Sequence, residues 1–200
     1  MKVLDRVVLA SGSPRRLELL RSLGFAVTVT ASGYDEPPMP HLRPVELAAA
    51  HAAAKLASVP RDGVAVIASD TVVDLDGAAL GKPVDADDAT RILRALSGRE
   101  HVVHTAYAVA LPGIAAPVGE VASTRVRFHA LSDDEIAEYV ATGEPMDKAG
   151  AYGIQGYGAT IVERVDGDYF SVMGLALGTL ISLCRELGLR YDFGPLVADA

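Results

Sequence analysis

The sequence predicts an α/β chain built on a mixed sheet. Two observations carry that expectation. Short apolar runs of strand length alternate with helical stretches from one end to the other, and the segments Val102 to Leu111 and Glu120 to Phe128 stand close enough to pair as neighbours. With no internal repeat and no linker to divide them, residues 1–200 read as one domain. Half of the residues are hydrophobic and 22% are charged, which excludes disorder as the main state and allows a core without a disulfide or structural metal.

Each element has a local cause. Val7 to Ala10 is a short apolar strand, followed by the turn Ser11-Gly12-Ser13. A helix from Pro14 to Leu23 follows, with Ser13 as its cap, Pro14 in its first position and Gly24 closing it. Phe25, Val27 and Val29 alternate with small or polar residues as a second strand, and the proline-rich stretch Tyr34 to Pro44 is loop. Val45 to Val59 reads as an alanine-rich helix. Val64 to Ala68 reads as a buried strand ending at Ser69-Asp70-Thr71, and a hairpin over Val72 to Leu80 turns at Gly77, where Asp74 and Asp76 read as solvated turn residues. Asp85 caps a helix to Leu96, and Ser132-Asp133-Asp134-Glu135 is a capping box opening a helix to Thr142. Gly143 to Gly158 is a glycine-rich loop, Thr160 to Val165 a strand, and Gly174 to Leu187 a last helix closed by Gly188.

Charge and composition then narrow the function. Eighteen Lys plus Arg against 26 Asp plus Glu give a net charge of −8, which repels polyanions and argues against a nucleic-acid partner, so any phosphate binding is local. The single cysteine, Cys184, cannot close an internal disulfide; a reducing compartment and a cytoplasmic location are expected. No apolar run approaches the ~20 residues that span a bilayer, so no membrane partner is expected. Arginine is used in place of lysine except at Lys2, Lys55, Lys82 and Lys148, a bias that base composition of the genome explains equally well, and the last three sit in or beside segments with chemical promise.

Three segments carry that promise. In Ser11-Gly12-Ser13-Pro14-Arg15-Arg16 a helix start offers free N–H groups and partial positive charge, and two arginines there oppose the dipole unless an anion repays them. The same residues also suit a capped surface helix with solvated arginines. The run Val64 to Thr71 delivers Asp70 to the carboxyl end of its strand, where open α/β sheets bind ligands. There it is suited to hold a divalent metal, to activate a water, or merely to cap the next turn. The hairpin returns Lys82 toward it. In Gly143 to Gly158, glycines bring backbone close to a ligand, and the Gln155 amide matches the paired O and N–H of a pyrimidine imide. His101 and His104, three apart on a strand, face opposite ways and cannot share a metal, and no serine sits in a G-x-S-x-G elbow.

Taken in order, SGSPRR, the pair Asp35-Glu36, Lys55, SDTVV, GKP and GEPMDKAGAYGIQG resemble the Maf family of nucleoside triphosphate pyrophosphatases over nearly the whole chain. The resemblance implies a mixed, twisted central sheet flanked by helices, in two lobes with a cleft. It implies hydrolysis of a nucleotide between its α and β phosphates with a divalent cation, Mg²⁺ or Mn²⁺. By motif position it makes Asp70 the catalytic residue and proton acceptor. Ser11, Arg15, Arg16, Lys55 and Lys82 become phosphate ligands, Glu36 joins Asp70 in holding the metal, and Arg15, Thr71 and Gln155 become specificity positions. The Gly-Ile-Gln-Gly form is similar to the branch acting on dTTP and UTP, modified pyrimidine nucleotides included, rather than the 7-methyl-GTP branch. The segment Tyr169 to Leu177 departs from the family pattern in lacking Asn and Leu-Pro. The family has also been described as septum formation inhibitors, so the alternatives are a non-enzymatic regulator of cell division or a pyrophosphatase of the 7-methyl-GTP branch. The expected partner is a nucleoside triphosphate, with the oligomer left open, a homodimer included.

Overall fold

Seven strands form one sheet of mixed direction in the computed structural model, which describes residues 3–4, 6–61, 63–114 and 116–198. Its parallel part is β2 (Arg6–Leu9) between β3 (Ala26–Val29) and β4 (Ala65–Leu75). Beyond β4 the sheet turns antiparallel through β6 (Glu100–Ala110), β7 (Val118–Phe128) and β8 (Val162–Asp166), with β5 (Ala78–Leu80) folded back on β4. The mixed α/β sheet read from the sequence is therefore the observed one. A second, three-stranded sheet joins β1 (Val3–Leu4), β10 (Leu196–Ala198) and β9 (Leu189–Tyr191).

Helices cover both faces because side chains of a strand alternate between them. On one face, α2 (Pro44–Ala57) lays Ala48, Ala52 and Leu56 over Val66, Ala68, Val72, Ala106 and Ala108, small residues that let helix and sheet approach closely. The other face carries two apolar cores in sequence along the same long strands. Near the start of β4, Ala65 and Ile67 pack with Leu19 and Leu20 of α1 (Pro14–Ser22) and Leu180 and Ile181 of α6 (Leu177–Glu186). Near its end, Val73 and Leu75 pack with Ile92 and Leu93 of α3 (Ala86–Leu96) and Ile136 of α4 (Asp133–Ala141). Between them lies a polar band of Ser69, Thr71, Thr105, Thr124 and Ser171, the last on the short helix α5 (Tyr169–Met173).

Several local expectations need correction. The strand bearing Asp70 does not end there: it continues to Leu75 because β6 goes on pairing with it, Asp70 opposite Ala106 and Asp74 opposite Val102. Ser13 holds the cap position of α1 without a side-chain cap bond, its N–H donating instead to Ser11 Oγ at 3.2 Å. The last helix starts at Leu177 rather than Gly174, whose φ of 114° no helix interior accommodates, and a separate short helix, α5, precedes that glycine. The glycine-rich loop is wound into three 3-10 turns. Asp76 is exposed as expected and pairs with Arg99, but Asp74 is largely covered, accepting from Gly77 N–H at 2.7 Å and meeting His104 Nε2 at 3.2 Å. Asp85 and the Ser132 capping box cap α3 and α4 as read. Among the described residues no helix is long and apolar enough to cross a membrane.

Candidate active site

One edge of β4 is interrupted. β2 pairs with it as far as Ile67 and β5 from Val73 onward, leaving residues 68–72 without a strand partner on that edge among the described residues. A cavity of about 640 Å³ opens at this gap, within the range of small-molecule sites. Ser11, Arg15, Arg16, Glu36, Lys55, Asp70, Thr71, Lys82 and Gln155 all line it. Every residue singled out from the sequence as a site candidate thus reaches one cavity, and so do all three described lysines, Lys148 included.

On the α2 face, the last turn of the helix carries Lys55 into the interior, 6% exposed. Its ammonium donates to Asp70 Oδ1 at 2.6 Å and lies 2.6 Å from Glu36 Oε1, so one cation joins two carboxylates. Asp70 is itself buried, while Glu36 is half exposed on the proline-rich loop at a φ of 51°. Burial acts to raise the pKa of Glu36. The hydrogen bond and charge of Lys55, with Lys82 and His51 behind, outweigh it and hold the carboxyl below its ordinary value.

On the opposite face, Arg16 is buried and spans the gap. Its Nε donates to the Gly174 carbonyl at 2.9 Å, Nη1 to Ser11 Oγ at 3.1 Å and Nη2 to Thr71 Oγ1 at 3.0 Å. Burial pulls its pKa down while Asp70 and Glu36 push it up, and a guanidinium stays charged regardless. Three of five N–H donors are thereby used, leaving two for a ligand among the described contacts. Thr71 is tied down as well. Thr105 Oγ1 donates to the Ser171 carbonyl at 2.7 Å, so the 2.9 Å contact between the two threonines takes the proton of Thr71. Its hydroxyl therefore has a lone pair to offer and no proton. Arg15, by contrast, is half exposed at the cavity rim, 3.9 Å from Asp147, and Lys82 is exposed.

Gln155 is exposed at the mouth, with no side-chain hydrogen bond among the described residues. Its neighbours Ala151, Tyr152 and Ile154 are buried, so the segment that carries it is anchored rather than loose. Sequence reading passed over the anchor. Glu144 accepts from Tyr139 O–H and Gly158 N–H on Oε1 and from Tyr157 N–H on Oε2, each at 2.9 Å. Burial raises the pKa of this carboxyl, but those three bonds and Lys148 more than offset it and keep it low. The family model described as Maf-like protein matches residues 6–187.

This chain belongs to the Maf-like family. Among its relatives, the protein named dTTP/UTP pyrophosphatase from Thermus thermophilus is 47% identical over 92% of this chain and 96% of its own length. That of Dictyoglomus thermophilum, with the same name, is 43% identical over 91% and 96%. A solved HAM1 protein from Coxiella burnetii aligns with 90% of this chain and 98% of its own at 18% identity and a TM-score of 0.48. In this Maf-like chain the motif glycines have a steric reason: a Cβ on Gly156 would run into the Glu144 carboxylate, and one on Gly158 into the Gly153 carbonyl.

Proposed function

We propose that this chain is a nucleoside triphosphate pyrophosphatase that hydrolyses dTTP and UTP to the monophosphate and pyrophosphate. The observation that carries the reading is the Lys55-Asp70-Glu36 cluster set beside Arg15, Arg16 and Lys82 in one cavity. The relatives' shared name points to the same substrates. A triphosphate carries about four charges, and its cleavage depends mostly on positioning and on stabilising charge at its oxygens. Water adds across the α–β anhydride: its oxygen stays on one phosphoryl group, the bridging oxygen leaves with the other, and the water's proton passes to Asp70. Lys55 occupies Oδ1 of that carboxylate, and Oδ2 has no hydrogen-bond partner among the described residues. Arg16, fixed on three sides, presents its two remaining donors to phosphate without having to be ordered on binding. Lys82 and Arg15 add charge from the rim, and Ser11 holds Arg16 while facing the same space.

The residues fit a divalent cation. Two carboxylates that share one ammonium at 2.6 Å each stand close enough to share one metal ion, and oxygen donors suit Mg²⁺ or Mn²⁺. Among the described residues no third His, Cys, Asp or Glu joins them, so substrate phosphates and water would complete the set, as Mg²⁺ prefers. Bound there by Asp70 and Glu36, such an ion would supply an activated water and neutralise phosphate charge. Gln155 then reads the base through its amide.

The reading is tested by assaying pyrophosphate release from a panel of nucleoside triphosphates with Mg²⁺ or Mn²⁺. Faster release from dTTP and UTP than from dCTP and purine triphosphates is expected. Preference for 7-methyl-GTP, or no release from any of them, overturns it.

A further inference from the structure

We propose that Glu144, seconded by Tyr139, is a positioning residue for base selectivity: it fixes the segment that presents Gln155 without touching the substrate itself. The proposal rests on the reading that Gln155 recognises the base.

Gln155 stands at the cavity mouth. Its side chain has no protein partner among the described residues, so its location is set by backbone alone. On one side, Gly153 N–H donates to Tyr139 Oη at 3.1 Å. On the other, Tyr157 N–H and Gly158 N–H donate to the two oxygens of Glu144. Tyr139 O–H donates in turn to Glu144 Oε1, so both ends of the segment 153–158 hang on one carboxylate–phenol pair. The pair is anchored below, since Tyr139 is buried in the core that contains Ile136, Phe128 and Tyr152. The glycines bear the mark of this arrangement. Gly156 has a φ of 64° and lies against the carboxylate, and Gly158 is closed in between Tyr139 Oη and the Gly153 carbonyl. A segment wrapped this tightly around a charge has one conformation, and Gln155 gains its aim from that.

Three donors converge on the carboxylate, which only accepts. In Glu144→Gln one oxygen becomes an NH₂ group, a donor set against a donor, with almost no change in volume. The expected result is a ratio of kcat/KM for dTTP over dCTP reduced at least about fivefold, the lower end of what an unpaired buried polar group costs. The inhibition constant of pyrophosphate should stay within about twofold, because its ligands sit on other elements. Tyr139→Phe removes one donor and the acceptor of Gly153 N–H, and should move the ratio in the same direction by less. It also keeps the test open where Glu144→Gln does not fold. A merely structural role predicts something different: a lower Tm, all nucleotides slowed alike, and an unchanged ratio. That outcome in both variants overturns the proposal. Gln155→Ala is assayed alongside. If it narrows the ratio while Glu144→Gln and Tyr139→Phe do not, the positioning role fails and base reading stands; if Gln155→Ala itself leaves the ratio unchanged, base reading by Gln155 fails and the positioning role goes with it.

Discussion

Replacing Lys55 with Met removes one ammonium and keeps the shape of the side chain. Asp70 is then left buried, its side chain 7% exposed, facing a second carboxylate with no cation between them. Removing one partner of a buried ion pair costs about 3–5 kcal/mol. Glu36 is 44% exposed and water relieves its share, so the lower end applies: a loss of about 3 kcal/mol. Urea unfolding at neutral pH measures it. With a slope of about 2 kcal/mol/M, the midpoint should fall by about 1.5 M. A divalent cation bound by the same two carboxylates takes over the role of the ammonium, and at 100 times its dissociation constant it returns about 2.7 kcal/mol. The urea midpoint of Lys55→Met should therefore rise by about 1.3 M when Mg²⁺ or Mn²⁺ is added at that excess. A variant as stable as the wild type would mean that Lys55 does not hold the carboxylates together. A Lys55→Met midpoint that the cation leaves unmoved would take Asp70 and Glu36 out of the metal site.

Four further outcomes are expected. Asp70→Asn keeps the fold, checked by circular dichroism, and lowers kcat roughly 10²- to 10⁴-fold; turnover near wild type would remove Asp70 from the chemistry. Lys82→Ala weakens both kcat and binding, because a phosphate-facing ammonium gains strength as charge develops; Lys82→Arg tests whether charge alone suffices, and unchanged kinetics in Lys82→Ala assign the residue to the solvated rim. Gln155→Ala narrows dTTP over dCTP selectivity by about 1–3 kcal/mol in kcat/KM, and an unaltered ratio places base reading elsewhere. His101 is buried beside Phe128 and Tyr152, and burial lowers its pKa from 6.5 to about 4. Between those values the unfolded chain binds a proton that the folded chain refuses. Its contribution is complete above about pH 6.5 and lost as pH falls toward 4, about 3 kcal/mol in all. His101→Phe should flatten that slope in urea midpoints taken at pH 7 and pH 4.5, and a slope equal to wild type refutes the assignment.

What the sequence revealed, it revealed through short-range rules. Pro14 in a first helical position, Asp85 three residues before Asp88, and the Ser132-Glu135 box are local grammar, and α1, α3 and α4 start where that grammar puts them. The sparse lysines are a pointer of the same short-range kind, and the three described ones all line the cavity. The failures have long-range causes. Ser69-Asp70-Thr71 reads as the end of a strand because its polarity suits an edge; what keeps it in a strand is β6, more than thirty residues later. Gly174 looks like part of a helix until Arg16 Nε meets its carbonyl from 158 residues away. Glu144 sits in a segment that spacing had marked, but its role depends on Tyr157, Gly158 and Tyr139 closing around it. Strands of three residues, such as β9 and β10, carry too little periodicity to be read at all.

The register of β4 is where fold and chemistry meet. Side chains alternate across a strand, so Asp70 points to the α2 face and Thr71 to the face of α1, and each meets the partner its chemistry requires: a carboxylate meets Lys55, a hydroxyl meets Arg16. A one-residue slip against β6 would exchange them, setting Asp70 toward the guanidinium and Thr71 toward the ammonium. Glu36 would then share no cation with Asp70, and Arg16 would lose the hydroxyl that orients it. Pairing from Val66 with Ala110 through Asp74 with Val102 forbids that slip, since it would also turn Val73 out of one core and Val72 out of the other. The apolar pattern on either side of the gap thus fixes which polar residue faces which helix. The gap itself, where β2 has ended and β5 has not begun, leaves both faces open to one ligand.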